Sequence, residues 1–375
     1  MARSSTPLVA TYTIVHGLAE FLTALVIFSS LSSWTGSAGQ LIAYNAMAFG
    51  GPVIVVLLAG GRFRHVAEGW IGLAGTALLA GGMLFGRLGW VCVLVLGCGS
   101  ALFHIAAGTA ALKMPNPGTA VGVFESSGAF GLALGGLLGI GAWQGIADTA
   151  WVGLGVAAIL AGGCAVLVWG TARGASGLGA VVAMPAKVNP AWTVQAGTGL
   201  VPMIALAGLV AVSLARSMVV FGTADSWKQG VPLVLGAALA VSAGRAVGGL
   251  LTDRVGITAT AVAGLVAAAV LLGVWPAAAW AGVLGGFCLA LPMAPVIVAL
   301  ATSLGRPAFA FGLAQLCQVA ALVTAVRFGR AGVLIALLAC AGVILCLRPL
   351  FKPASTACAA ATAVMPVALH RGRLR

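Results

Sequence analysis

GVPLVLGAALAVSAGRAVGGLLTDRVGITATAVAGLVAAAVLLGV is the sequence of residues 230–274, and its pattern decides the fold. Two apolar runs, at 230–250 and 257–274, flank a short connection that contains Asp253 and Arg254. Each run is close to the roughly 20 apolar residues that a helix needs to cross a bilayer core about 30 Å thick. We therefore predict two membrane-spanning helices joined by a tight polar turn.

The rest of the chain has the same character. Of its 375 residues, 61% are hydrophobic and only 7% are charged, and the mean hydropathy is +1.14. A soluble domain carries roughly 25% charged residues, so this composition excludes a soluble protein. The net charge of +13 comes from basic residues scattered between apolar runs. We interpret them as topology signals and predict a lipid environment and no nucleic-acid partner.

Twelve apolar runs predict an all-α integral membrane protein with twelve transmembrane helices in two six-helix halves. The predicted runs are 8–31, 40–60, 68–86, 89–112, 118–142, 149–170, 198–222, 230–250, 257–274, 278–301, 308–326 and 330–349. The halves are residues 1–170 and 198–350, with a cytoplasmic linker at 171–197 and a basic cytoplasmic tail at 351–375. With the N-terminus inside, 14 Lys and Arg residues lie on the cytoplasmic side and 4 lie outside. This asymmetry predicts that both termini are cytoplasmic.

The few ionisable residues inside these runs are the candidate site residues, because charges in hydrocarbon are costly and usually face a cavity or a partner. His16 and Glu20 are four residues apart and share one face of the first helix. Either a proton-carrying role or a structural pair that locks the helix fits this spacing. His104 and Glu125 are also buried in their runs, His104 with a hydrogen-bonded structural imidazole as its alternative. Together, these four residues predict a proton pathway.

Arg216 lies well inside the seventh run, where an unpaired guanidinium would cost at least about 2.5–3.5 kcal/mol. We expect it to pair with an acidic side chain of the other half, Glu20 or Glu125, or with an anionic substrate. A planar guanidinium bonds two carboxylate or phosphate oxygens at once, so a solute with some anionic character is predicted.

No metal site, cofactor or enzymatic centre is predicted. The eight cysteines show no paired ligand spacing and have no histidine cluster near them in sequence, so neither a disulfide framework nor a metal site is expected. No nucleophile with a base and no phosphate-binding loop is evident.

The strongest local motif is GLLTDRVG at 249–256, preceded by Arg245. It resembles the G-x-L-a-D-R-x-G signature between the second and third helices of each half in the major facilitator superfamily. We expect Asp253 to accept hydrogen bonds from the N-terminal amides of the next helix and to pair with arginine. The resemblance implies a cytoplasmic gating latch made by Arg245, Gly249, Asp253, Arg254 and Gly256. The corresponding first-half segment has Gly61 at the aspartate position, so that copy of the latch is degraded.

Within this superfamily, the chain is most similar to the fosmidomycin-resistance type of transporter. GCGSALFH at 97–104 resembles its G-x-G-S-A-x-F-H-P stretch, and 124–138 resembles its F-Q-V-G-G-N-x-G-x-A-L-G-P-L-L run. Arg216-Ser217 matches an Arg-Ser pair in its seventh helix, and His16 with Glu20 resembles a histidine and acidic pair in its first. Ile105 and Gly136 replace prolines of the two stretches.

The leading functional prediction is a secondary transporter that moves a small solute by alternating access between the two halves. The buried His and Glu residues favour proton coupling, and the resemblance implies an efflux carrier in a bacterial inner membrane. The alternative is a non-transporting scaffold or sensor that retains the fold. A lipid-facing Arg216, or one capped by carbonyls with no cavity, would favour this alternative.

Overall fold

The computed structural model describes residues 6–31, 37–59, 68–84, 89–141, most of 155–165, 200–223, 230–324 and 330–351. The regular elements in these segments are all helical. They are α1 (Thr6–Leu31), α2 (Ser37–Asn45), α3 (Gly51–Ala59), α4 (Glu68–Leu84), α5 (Trp90–Leu112), α6 (Pro117–Gly139), α7 (Leu200–Thr223), α8 (Val231–Val255), α9 (Ile257–Val274), α10 (Ala279–Ala290), α11 (Met293–Leu304), α12 (Pro307–Thr324) and α13 (Arg330–Leu347). Helical residues also lie within 155–163.

Two of the crossings are built from two helices each. A π-helical turn, Ala46–Gly50, joins α2 to α3, and a turn at Leu291 and Pro292 joins α10 to α11. Proline removes an amide donor and collides with the preceding helical turn, which explains the second break. The joined pieces still form continuous apolar stretches, Gly39–Leu58 and Ala279–Leu304.

Eight helical stretches of the described residues are long and apolar enough to cross a membrane, and three shorter apolar helices accompany them. The prediction of an all-α, multi-pass membrane protein is therefore confirmed. The count of twelve, the cytoplasmic termini and the division into halves stay predictions. The linker at 171–197, Gly61 and the tail beyond Phe351 lie outside the described residues.

Large apolar side chains point outward on many helices. Leu58 is 81% exposed, Met203 69% and Ile335 68%. In water such surfaces would be unstable, whereas in a bilayer they face lipid tails of equal polarity. The outer face of the bundle is thus the lipid-facing surface.

Helix α6 lies between α1 and α8 and approaches both closely through glycine. A side chain at Gly131 would meet the Gly17 carbonyl of α1, and one at Gly122 would meet the Arg245 carbonyl of α8. Small residues allow membrane helices to approach closely. This packing brings the polar residues of three helices into contact.

Candidate functional site

Three of the predicted residues, His16, Glu20 and His104, form one buried group that we name the histidine cluster. His16 and Glu20 lie on α1, and His104 lies on α5. The Nε2 atoms of the two histidines are 3.0 Å apart. Glu20 Oε1 is 3.7 Å from His104 Nε2 and 4.0 Å from His16 Nε2. All three residues are at most 4% exposed.

The outer ring nitrogens of both histidines are fixed by the backbone. His16 Nδ1 lies 2.8 Å from the Phe124 carbonyl oxygen, and His104 Nδ1 lies 2.8 Å from the Ser100 carbonyl oxygen. The Ser100 hydroxyl also lies 3.1 Å from His104 Nδ1. A carbonyl can only accept, so in the tautomer that satisfies both carbonyls the Nδ1 atoms are the protonated donors. The two inner Nε2 atoms of the neutral rings are then acceptors that face each other.

Aromatic rings enclose the histidine cluster. The Phe124 ring stacks on the His16 ring with centroids 4.2 Å apart, and Phe49 approaches His104 edge-on at 5.4 Å. Among the described residues, Glu20 Oε2 and the Tyr44 hydroxyl are buried without a hydrogen-bond partner. The burial of Glu20 Oε2 without a donor from the described part of the chain leaves the histidine cluster with an unsatisfied acceptor.

The expectation that the chain offers no metal site needs revision here. His16, Glu20 and His104 each present a potential ligand atom, and these atoms lie within 4.8 Å of one another. The sequence showed no ligand spacing because the two histidines are 88 residues apart and meet only when α1 packs on α5.

A second polar group, which we name the inter-half network, contains Glu125, Arg245, Gln315 and Gln318. Arg245 Nη1 donates to the Glu125 carboxylate at 3.3 Å and to its backbone carbonyl at 2.9 Å. Gln315 donates to the other carboxylate oxygen at 2.9 Å and accepts from Gln318 at 2.6 Å. The network links α6 of the first predicted half to α8 and α12 of the second.

Arg216 is buried, with 6% exposure, and its guanidinium donates one long hydrogen bond of 3.5 Å to the Leu289 carbonyl. Within the described part of the chain, Arg216 forms no ion pair with Glu20 or Glu125, and the alternative partner, an anionic solute, stays a prediction. Arg216 instead borders a small space with room for about one water molecule, which is lined by Ser213, Met293, Val296, Ile297, Ala314 and Gln318.

The motif at 249–256 joins the two predicted halves. Asp253 accepts from the backbone amides of Gly118, at 3.0 Å, and Thr119, at 2.6 Å. These amides begin α6, so the expected partner helix was wrong: Asp253 caps α6, a helix of the first predicted half, and not the next helix. Arg245 bonds Glu125 rather than Asp253.

The other motif residues surround this contact. Gly249 lies where α8 meets α6, since a side chain there would collide with the Gly118 carbonyl. Gly256 has a φ of 106°, a left-handed conformation that glycine adopts without strain, and it separates α8 from α9. Arg254 is exposed.

Three polar residues that lie in apolar runs were not predicted from the sequence, namely Gln315, Gln318 and Tyr44. The candidate pathway residues were charged residues and histidines, whereas these three are two amides and a phenol. An amide in an apolar run must also find a partner, and both glutamines lie on α12 three residues apart. Burial of a polar side chain in an apolar run was the available signal.

No family model and no curated protein sequence matches this chain. Solved structures do match. The major facilitator superfamily transporter FucP in the outward conformation has a TM-score of 0.60 and 12% identity over 91% of this chain and 98% of its own. The E. coli fucose:proton symporter FucP gives 0.54 and 11% over the same shares. A bacterial homologue of the iron transporter ferroportin, outward-facing, gives 0.63 and 13% over 92% and 98%. The chain therefore has the fold of major facilitator superfamily transporters.

Proposed function

We propose that this chain is a secondary active transporter that moves a small solute across the membrane by alternating access and couples that movement to protons. The fold is that of known transporters, one of them a fucose:proton symporter. The observation that carries the proposal is the inter-half network, a buried ion pair between helices that must separate during alternating access.

Glu125 is the proposed proton acceptor of this network. As a carboxylate it holds Arg245 and Gln315 and ties α6 to α8 and α12. A protonated Glu125 no longer attracts the guanidinium, so the ion pair between the halves is lost. Proton binding at this residue would therefore loosen the contact that keeps the halves together.

Arg216 is the proposed contact for the solute. Its guanidinium is buried beside a small space and forms no ion pair with a carboxylate among the described side chains, so an anionic group of the solute would pair with it. Ser213 and Gln318 line the same space and offer further hydrogen bonds. Because Gln318 also belongs to the inter-half network, the solute space and the ion pair share a residue.

Asp253, which lies near the end of α8 and caps the start of α6, is the proposed latch on the side that the positive-inside pattern predicts to be cytoplasmic. A closed latch supports an outward-facing state, and release of the latch would open the cytoplasmic side. The resemblance to the fosmidomycin-resistance type extends this proposal to an antiporter that exports its solute across a bacterial inner membrane.

The test uses proteoliposomes that enclose a pH-sensitive dye. Small anionic and amphipathic compounds are added one at a time, and proton movement is recorded for the parent, Glu125→Gln and Arg216→Ala. Arg306→Ala, which removes an exposed arginine, is the matched control. A compound that drives proton movement in the parent and in the control, but only at background in the other two variants, supports the proposal.

The scaffold or sensor alternative predicts a different result. Folded parent protein would then move no compound and no protons, even with an imposed pH gradient and a screen that covers anions, sugars and amphipathic drugs. The burial of Arg216 speaks against a lipid-facing position, which was one expected sign of this alternative, whereas its bond to the Leu289 carbonyl matches part of the other sign, an arginine capped by carbonyls with no cavity.

A further inference from the structure

We propose that the histidine cluster is a binding site for one divalent transition-metal ion, held by His16 Nε2, His104 Nε2 and the Glu20 carboxylate. The site goes beyond the proposed transport and does not depend on it. It replaces the proton-pathway role that the sequence predicted for these three residues.

The geometry is that of a prepared site. Two nitrogens about 2.1 Å from an ion lie about 3.0 Å from each other when the ion is octahedral and about 3.4 Å when it is tetrahedral. The two Nε2 atoms are 3.0 Å apart. Glu20 Oε1 stands at 3.7 and 4.0 Å from them, so a small rotation of this side chain completes a three-ligand set.

The surroundings match those of metal-binding histidines. Such histidines usually donate their second ring nitrogen to a carbonyl or carboxylate, which fixes the ring and its tautomer. Both histidines do this, toward the carbonyls of Phe124 and Ser100. In this tautomer each Nε2 atom keeps its lone pair, and the two atoms are 3.0 Å apart.

An ion explains more of the cluster than a proton does. A proton shared between the two Nε2 atoms would satisfy both nitrogens but would leave Glu20 Oε2 buried and without a partner among the described residues. A metal ion draws on all three side chains. The aromatic rings around the cluster exclude water, which strengthens the attraction between the ion and the carboxylate.

The ligand types decide the class of ion. Two imidazoles and a carboxylate suit Zn²⁺, Fe²⁺, Co²⁺ or Ni²⁺, whereas Ca²⁺ and Mg²⁺ prefer sets of oxygen ligands. Three protein ligands leave at least one coordination position open, as in sites that exchange their ion or bind a further molecule.

The experiment titrates chelator-treated protein in detergent with Co²⁺ alone. A streptavidin-binding tag is used for purification, because a polyhistidine tag would bind the ion. We expect one Co²⁺ per chain, visible absorption bands of protein-bound Co²⁺, and their loss when Zn²⁺ is added. His16→Gln, Glu20→Gln and His104→Gln should each weaken binding by at least about 10- to 100-fold, since even indirect metal contacts have effects of that size.

Two controls are matched by chemistry. His65→Gln removes a histidine and Glu125→Gln removes a buried carboxylate, and both should keep the Co²⁺ bands. Glu125→Gln also separates the two proposals, because it is expected to stop transport and to leave metal binding intact.

The proposal fails if folded wild-type protein binds no stoichiometric Co²⁺ or Zn²⁺, in which case the nitrogens share a proton. It also fails if the three cluster variants bind as the parent does. Should a variant not fold, X-ray absorption of the zinc-loaded wild type decides. A shell of nitrogen and oxygen with imidazole scattering supports the site, and a sulfur shell overturns it.

Discussion

The histidine cluster and the inter-half network meet at consecutive residues of α6, yet they differ in how they are satisfied. Phe124 gives its carbonyl to His16, and Glu125 gives its carboxylate to Arg245. In the network, both carboxylate oxygens have a donor from the protein itself. In the cluster, two nitrogens and a carboxylate converge without a donor between them.

The two groups are therefore expected to respond differently to an added proton or metal ion. In the inter-half network both carboxylate oxygens of Glu125 have donors as folded, so a proton on this carboxylate would disrupt the network. The cluster is incomplete as folded, so a cation would stabilise it. Two buried polar groups on neighbouring helices can therefore have opposite responses to positive charge.

The largest expected effect comes from separating the partners of the network. Glu125→Leu or Arg245→Leu alone leaves a buried charge unpaired, which typically costs about 3–5 kcal/mol of unfolding free energy. The double variant removes both charges and should lose much less than the sum. Denaturant titrations of the parent and all three variants in detergent measure this coupling. Additive losses would show that the pair contributes nothing specific.

Substitution of single glycines on α6 should have a smaller effect on the unfolding free energy and should distinguish the histidine cluster from the inter-half network. In Gly128→Ala the new methyl group enters the position of the His16 ring, which cannot move without losing its bond to Phe124. Overpacking of this kind costs about 1–3 kcal/mol. We expect Co²⁺ binding to weaken together with the unfolding free energy.

Gly122→Ala is the matched comparison, since its methyl group meets the Arg245 carbonyl instead. It should lower stability to a similar degree and keep the Co²⁺ bands. Equal metal binding in the two variants would show that the position of the His16 ring does not matter for the ion.

The smallest effect is expected at the first turn of α6, which Asp253 of α8 caps and which lies away from the histidine cluster. Asp253→Ala removes a helix cap, which is worth about 0.5–2 kcal/mol. A cysteine placed at buried Thr252 should react faster with a thiol reagent in this background, because the contact between α6 and α8 opens more often. The exposed neighbour Arg254→Ala should leave both stability and labelling unchanged, and an equal effect of the two changes would argue against the latch.

Much of the fold could be predicted because membrane helices follow from local composition. The runs at 230–250 and 257–274 became α8 and α9, and the turn between them needed a glycine, Gly256, with a positive φ. The breaks in the crossings at Ala46–Gly50 and Pro292 were not predicted, since hydropathy is continuous across them.

The site was predicted only in part, because contacts between helices depend on the rotation and height of each helix. That His16 and Glu20 share a face follows from their spacing, but the meeting of His16 with His104 does not. The partner of Arg216 was expected to be acidic on grounds of charge alone, and its actual surroundings depend on how α7 packs against α11 and α12. The partner helix of Asp253 was wrong for a similar reason, since a neighbour in sequence was chosen over a neighbour in space.

The bonds of Asp253 to peptide amides, rather than to side chains, have a consequence for how this protein can change over time. Every amino acid except proline supplies such an amide, so residue identity at Thr119 is free to drift without loss of the hydrogen bond. The aspartate has no such freedom, because its two oxygens serve two amides at once. One side of the latch thus depends on a single aspartate side chain, whereas the other side consists of backbone amides, where identity is constrained at Gly118, which has no space for a side chain, but not by the hydrogen bond at Thr119.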